Sequence, residues 1–384
     1  MRKLIVYILS IGLLSAGCKQ QIKTGKPVGK RVNIQEFVRS KPVKPLVQIY
    51  YEHGNFINTQ EFPPVVSAAQ VLDHYKEWLI IDLRRPDAYE AGHIPGAYNV
   101  PKNKVLDFLM KKHKAAAYPK VVFVCYTGQT ASYVTGITRY AGFDNTYAML
   151  FGMAVWNDKF SGPLRKGVGN RYPGMVETGE QKSPLPLEKQ PGNIIDWRSF
   201  PSTGKNPPTV IITQRAQKLL EAPRKEFLLK ADEFFPDYKA HPLTYQPVCY
   251  LPKSKFVAGH IKGSWQFTPR RDFSPDAKLS AVPQDKTVLV YCKSGHTGSN
   301  TAAYLNMIGY HAENLILGSM SYIYDIWKKN GWAPDVDALV NNYPLVEGKK
   351  PFSGKALQTP AKTVKKAAVP IVKHKKKEVT GGCG

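Results

Sequence analysis

The chain has 384 residues, which on ordinary domain sizes means two or three domains rather than one small module. Hydrophobic residues make up 43% and charged residues 22%, values that exclude wholesale disorder and a polytopic membrane protein. The formal net charge of +25 gathers at the ends: residues 1–45 carry ten Lys/Arg against one acid, and residues 346–384 carry ten Lys against two acids. Neither run has interleaved aromatics or a nucleic-acid motif, so they read as solvated arms attracted to anionic membrane or cell-wall polymer, with no nucleic acid expected.

In chain order, Arg2 and Lys3 precede an apolar run from Leu4 to Leu14, followed by Ser15-Ala16-Gly17-Cys18. Residues 1–18 therefore read as a signal segment too short to span a bilayer well. The small residues before Cys18 resemble the lipobox of bacterial lipoproteins. That resemblance implies lipidation of Cys18, export to the cell envelope (periplasm or outer membrane) and a membrane anchor. Residues 19–61 form a basic linker.

The next feature is an internal repeat. Gly92-His93-Ile94 recurs as Gly259-His260-Ile261, Cys125 as Cys292, and Gly142-Phe143 as Gly309-Tyr310, each 167 positions on. Pro63-Pro64 and Pro207-Pro208 mark the starts, 144 apart, which puts an insertion of about twenty residues within 232–252 of the second copy. In the first copy Ser67 caps an amphipathic stretch to Trp78, Leu79–Leu83 has strand length, and Asn103–Ala117 has helical periodicity. Val121–Cys125 then reads as a buried strand, and Ala131–Ala141 as a helix closed by Gly142. The second copy gives Gln214–Glu221, Phe227–Ala231, Thr287–Cys292 and Asn300–Ile308 in the same order. Alternating strands and helices predict an α/β fold with a mostly parallel sheet flanked by helices on both faces in each copy. The domains are then 62–160 and 206–335. A Gly/Pro/Lys-rich linker, 161–205, joins them, and a Lys-rich disordered tail, 336–384, ends in Gly-Gly-Cys-Gly.

In both copies a cysteine ends an apolar strand and opens a loop into a helix: Cys125-Tyr126-Thr127-Gly128-Gln129-Thr130 and Cys292-Lys293-Ser294-Gly295-His296-Thr297. The carboxyl end of a strand in an open α/β sheet is where ligands bind, and the next helix presents unpaired N–H groups there. Such donors favour thiolate over thiol, which places Cys125 and Cys292 as nucleophiles. A glycine fourth in the loop lets successive amides converge into an anion nest. A small buried cysteine at a strand end is the ordinary structural alternative for one copy; recurrence in the same context weighs against it.

With Asp82-Leu83-Arg84, Tyr89 and Gly92-His93-Ile94-Pro95-Gly96-Ala97, the Cys125 loop resembles the rhodanese domain. Gly259-His260-Ile261-Lys262-Gly263-Ser264 and the Cys292 loop resemble a second one, so the chain is similar to a tandem sulfurtransferase. The resemblance implies that Cys125 and Cys292 take sulfane sulfur from thiosulfate or a related small anion and pass it, through persulfides, to a thiol or cyanide. The amides of Tyr126, Thr127, Gly128, Gln129 and Thr130, and of Lys293, Ser294, Gly295, His296 and Thr297, would cradle the persulfide. Asp82 and Arg84 would support the first loop, while Lys293 and His296 would add positive charge at the second. No metal or cofactor is called for. The strand Phe227–Ala231 would put Lys230 and Asp232 where the first copy has Asp82 and Arg84. Phosphatases and arsenate reductases share this fold but need an Arg where Ala131 and Gly298 stand, and without it phosphoryl transfer loses its main charge stabiliser.

Several residues have plainer explanations. His93 and His260 are expected to tie down turns, and Trp156 and Trp327 to lie in the core. Arg84 and Arg85 face either the mouth of the site or solvent. Cys249 is either a lone buried thiol or a partner for Cys292. Cys383 is a candidate sulfur acceptor at the end of a long tail, or an incidental thiol. Two other functions stay open: a non-catalytic envelope binding module, and a thiol–disulfide oxidoreductase using Cys249 with Cys292.

Overall fold

The computed structural model describes residues 46–52, 55–112, 115–182, 208–333 and 335–349. The signal segment with Cys18, residues 19–45 of the expected basic linker and the Cys383 end lie outside the described residues.

The first domain runs α1 (Leu46–Glu52), β1 (Val65–Val66), α2 (Ala68–His74), β2 (Leu79–Asp82), α3 (Pro86–Glu90) and β3 (Tyr98–Asn99). It continues through β4 (Val121–Val124), α4 (Gln129–Tyr140), β5 (Thr146–Met149), α5 (Met153–Trp156) and α6 (Gly162–Gly167), and is followed by β6 (Val176–Glu177). The second runs α7 (Pro208–Glu221), β7 (Leu228–Leu229), α8 (Ala231–Ala240), β8 (Tyr245–Tyr250), α9 (Lys253–Ala258), β9 (His260–Ile261) and β10 (Trp265–Phe267). It ends with β11 (Thr287–Tyr291), α10 (His296–Ile308), β12 (Ala312–Leu315) and α11 (Tyr324–Lys329). The strands order as β1-β5-β4-β2-β3 and β10-β8-β11-β12-β7, one order read from opposite ends, and every pairing within these two sheets is parallel. Each sheet is covered on both faces, so its central strand is buried throughout: all four residues of β4 and all five of β11.

Local signals act as expected at several ends. Ser67 Oγ accepts from the Gln70 amide at 3.1 Å while Gln70 Oε1 accepts from the Ser67 amide at 2.9 Å, a reciprocal cap on α2. The stretch 103–117 is less regular than its periodicity suggests, breaking into short turns over Lys102–Lys104, Val105–Asp107, Phe108–Lys112 and Ala115–Ala117.

The sheet register corrects the alignment of the two copies. Asp82 lies opposite Val124, and Cys249 lies opposite Tyr291. Val124 and Tyr291 each precede the loop cysteine, so β8 is the counterpart of β2, at the same offset of 167. The edge strand β7 matches β1, since Val65 pairs with Ala148 and Leu228 with Asn314. No insertion of about twenty residues exists within 232–252; that segment is α8 and β8. The Pro-Pro landmark misled because Pro208 opens α7, whose counterpart is α1. Lys230 therefore matches Ser67 as the residue before α8, while Cys249 and Leu251 stand where Asp82 and Arg84 do.

The linker and the tail also differ from expectation. Residues 168–182 cross to the second domain: β6 pairs antiparallel with β9, and the Gly179 amide donates to the Val257 carbonyl at 2.8 Å. Residues 336–349, expected to belong to a disordered tail over 336–384, return to the first domain. There His93 and Val346 exchange backbone bonds of 2.9 and 3.0 Å, and the Gly348 amide donates to the Glu90 carbonyl at 2.9 Å. Glu90 and Val257 are equivalent positions, so the domains exchange trailing arms reciprocally. Tyr343 and Pro344 also take part: the Tyr343 ring packs edge-on against Trp156 at 5.1 Å, and the Pro344 carbonyl accepts from Trp156 Nε1 at 2.9 Å. These are apolar and backbone contacts that a count of lysines does not register.

Between the domains, α4 packs along α10. They approach so closely at Gly136 that a Cβ there would lie 2.7 Å from Ala303 Cβ. Aromatic rings also meet across the seam, with Tyr140 against Tyr304 at 5.4 Å and Tyr133 stacked on Phe227 at 4.1 Å.

Candidate functional site

Cys125 and Cys292 follow the central strands of the two sheets, at their carboxyl ends. The chain then turns through Gly128 (φ 92°) and Gly295 (φ 81°), both left-handed, directly into α4 and α10. Both thiols are buried, each 4% exposed. Main-chain donors nevertheless aim at them: the amides of Gly128 and Ala131 lie 3.2 and 3.4 Å from Cys125 Sγ, and the Gly298 amide lies 3.4 Å from Cys292 Sγ.

Burial wins the contest over ionisation at the first site. It pushes the Cys125 thiol above its ordinary value, the amides of Ala131, Gly128 and Thr127 pull the other way, and the Asp82 carboxylate adds to the rise. The expectation that loop donors alone favour thiolate is thus corrected for Cys125, because desolvation outweighs them.

The donor set also differs from the expected one. Thr127 and Gly128 belong to it. The seventh residues, Ala131 and Gly298, lay outside the expected run yet direct their amides at sulfur from the first helical turn. Gly298 has room for nothing more, since a Cβ there would collide with Asn314 Oδ1. Tyr126 is 39% exposed. Thr130 and Thr297 are half-buried in the first turns of α4 and α10.

Behind each loop lies a turn that sequence reasoning missed. Phe151 (φ 57°) and Gly152 (φ 55°) precede amides of Met153 and Ala154, which donate to the carbonyls of Cys125 and Tyr126 at 2.9 and 3.0 Å. Leu317 (φ 61°) and Gly318 (φ 51°) repeat this, with Ser319 and Met320 bonded to Cys292 and Lys293 at 2.8 and 3.0 Å. The signal was present in the sequence: an apolar residue followed by Gly just after the fifth strand of each copy.

Asp82 and Arg84 form a buried ion pair under the first loop. Arg84 Nη2 lies 2.7 Å from Asp82 Oδ2 and also donates to the Gly92 carbonyl at 2.7 Å, with the Phe160 ring 4.8 Å from the guanidinium. Arg84 therefore faces the interior, while Arg85 faces solvent and Asp87. The second domain has no such pair: Cys249 and Leu251 are buried in its place. Cys249 and Cys292 are both free thiols, and burial pushes the Cys249 thiol far up. His93 and His260 tie down turns, with Nδ1 bonded to the carbonyls of Tyr89 and Phe256 at 3.0 and 2.9 Å.

The charges at the second loop need one correction. Lys293 Nζ donates to the Trp332 carbonyl at 3.0 Å; burial first, then Lys255, pulls its ammonium below the ordinary value, and Cys292 opposes them. His296 supplies no charge: burial first, then Lys293, pushes it down to about 3. Its ring crosses to the first domain, where Nε2 accepts from the Phe151 amide at 2.9 Å, leaving Nδ1, 3.0 Å from Ser294 Oγ, to carry the proton. The equivalent Gln129 crosses the other way, with Nε2 donating to the Ser294 carbonyl at 2.9 Å.

A pH dependence follows. With the folded value depressed and the ordinary one at 6.5, the unfolded chain takes up a proton below pH 6.5 that the folded chain refuses. This site therefore removes about 1.4 kcal/mol of stability per pH unit on acidification. Glu313, pushed up to about 7 by burial, contributes the opposite slope in the same window, so the comparison must be with a variant. Melting temperatures from pH 7.5 to 4.5 should fall more steeply for the native chain than for His296→Gln; parallel curves would refute the assignment.

A model of the rhodanese-like domain matches residues 67–159 and 250–324. Thiosulfate sulfurtransferase GlpE of Pseudoalteromonas translucida is 30% identical over 98 residues, covering 25% of this chain and 90% of that protein. GlpE of Pseudomonas entomophila is 33% identical over 89 residues, 23% of this chain and 79% of its own. A solved thiosulfate sulfurtransferase from Pseudomonas aeruginosa aligns at 18% identity over 72% of this chain and 47% of its own, with a TM-score of 0.25. With two matches to the domain in parallel sheets of one order and a cysteine loop closing each, the chain belongs to the rhodanese-like family.

Proposed function

We propose that the chain is a sulfurtransferase that moves sulfane sulfur from thiosulfate, or a related small anion, to a thiol or cyanide acceptor. The observation that carries this reading is the convergence of the Gly128 and Ala131 amides on Cys125 Sγ at the head of α4. The ionised Cys125 Sγ attacks the outer sulfur of thiosulfate; a new S–S bond forms, the old one breaks, and sulfite departs with the electron pair. The acceptor then attacks the outer persulfide sulfur, and Cys125 leaves as thiolate. Cys292 performs the same two displacements in the second domain. The amides hold negative charge on sulfur between the steps and offset part of the desolvation that disfavours the resting thiolate. Ala131 and Gly298 stand where a phosphatase needs a guanidinium, which argues against phosphoryl transfer.

Steady-state thiosulfate:cyanide turnover tests this. Cys125→Ser and Cys292→Ser should each remove one site's share and the double variant should fall to background, about 100-fold or more below the parent. Undiminished turnover in the double variant would refute the assignment of both cysteines.

The proposal includes export and a lipid on Cys18, supported by the charge, apolar run and small residues that precede it. Among the described residues no helix is long and apolar enough to cross a membrane. Metabolic labelling with a fatty acid should mark the native chain and not Cys18→Ser; equal labelling would refute it.

A further inference from the structure

The two cysteine loops meet across the domain seam, and His296 sits at the meeting point. Its ring belongs by sequence to the Cys292 loop, yet it is 2% exposed and packed against the other domain. Nε2 accepts from the Phe151 amide at 2.9 Å, and the Phe151 ring packs edge-on at 4.9 Å. The same edge of the ring lies against Gly128, where a Cβ would overlap Nε2.

Both contacts lead to Cys125. Phe151 opens the left-handed turn whose next amides bond the carbonyls of Cys125 and Tyr126 at 2.9 and 3.0 Å. Gly128 supplies the amide 3.2 Å from Cys125 Sγ. One ring therefore braces the Cys125 loop from behind and from the side. The arrangement is reciprocal in packing alone: Gln129, the counterpart, has its Cγ 3.0 Å from where a Cβ on Gly295 would lie, but it donates to the Ser294 carbonyl at 2.9 Å and accepts from Thr127 Oγ1 at 2.6 Å, touching neither Leu317 nor its turn through any polar contact among the described residues.

The geometry points to His296 as a positioning residue for the Cys125 site, reaching it from the second domain, so that the first domain's sulfur transfer depends on the seam. This rests on the sulfurtransferase reading for its kinetic consequence, though not for its structural one. His296 acts through the Phe151 turn and the Gly128 edge, not on the sulfur donor, so its loss should lower kcat and leave KM alone.

The test is made in Cys292→Ser protein, where turnover reports Cys125 alone. His296→Gln carries an acceptor that reaches the Phe151 amide, as the residue at the same loop position of the first domain suggests. His296→Asn is one methylene shorter and can satisfy only the Ser294 side. For thiosulfate:cyanide transfer, the Asn variant should lose about tenfold or more in kcat, with KM within about twofold of the parent, and the Gln variant should stay within about twofold in both. Hydrogen exchange of the 125–131 amides, read by mass spectrometry, should accelerate in the Asn variant and return to parental rates in the Gln variant. Equal kinetics and exchange for the two variants, whether both intact or both impaired, would overturn the inference. If the parent transfers no sulfur, the functional reading fails, and the exchange comparison alone decides the role of His296.

Discussion

Arg84→Leu should cost the first domain about 3–5 kcal/mol, measured as a shift in urea unfolding of the full chain, because it strands the Asp82 carboxylate in the interior. Asp82 and Arg84 side chains are 1% and 0% exposed, so no solvent can replace the lost partner. The loss would also free the Gly92 carbonyl, which Arg84 holds at 2.7 Å, and with it the Gly-His turn. The second domain shows how the fold manages without the pair, since Cys249 and Leu251 occupy the two positions. Installing that solution as Asp82→Cys with Arg84→Leu removes both charges together. The double variant should recover more than half of the lost stability, because what is costly is an unpaired buried charge rather than the absence of a salt bridge. A double variant no better than Arg84→Leu would contradict this reading and would mean that the Gly92 contact dominates.

Gly152→Ala should disable the Cys125 loop, and Gly318→Ala the Cys292 loop. At Gly152 the backbone has φ 55° and ψ −147°, a region open essentially to glycine. A Cβ at either glycine would also collide with the carbonyl oxygen of the cysteine in its own domain. That carbonyl accepts the amide that locks the loop, so the loop must shift. Since about 1 Å of misplacement at a reacting centre can cost on the order of 100-fold, sulfur loading should fall by about that factor at the cysteine of the altered domain. Peptide-level quantification of sulfur on Cys125 and Cys292 after thiosulfate exposure checks this. The result expected is a crossed pattern, each variant silencing chiefly its own site, and equal losses at both cysteines in either variant would contradict it.

How much of this was legible in the sequence depends on the reach of each signal. The α/β class, the strands ending at Cys125 and Cys292 and the helices after them follow from apolar runs and from glycines at fixed positions, which act locally. The cap at Ser67 is likewise written within four residues. Alignment of the copies failed because a Pro-Pro pair is a local mark that two unrelated helix starts can share. Only the pairing of Cys249 with Tyr291 and of Asp82 with Val124 fixes equivalence, and register is a long-range property. The trailing arms were missed for a related reason: residues 335–349 lack periodicity of their own and gain their order from Trp156 and His93, nearly two hundred positions away or more. His296 showed a titratable residue in a cationic loop; that its ring leaves that loop for the other domain depends on how α4 and α10 pack at Gly136 and Ala303. The burial that raises Cys125 is equally a product of packing, whereas the amides that oppose it come from the loop itself.

The most direct measurement is peptide mass spectrometry of the native chain after brief exposure to thiosulfate and removal of the excess. The account expects the mass of one additional sulfur atom on the Cys125 peptide and on the Cys292 peptide, released by cyanide, with sulfite formed in matching amount. Sulfur absent from both cysteines, or retained elsewhere and unaffected by Cys125→Ser and Cys292→Ser, would contradict it.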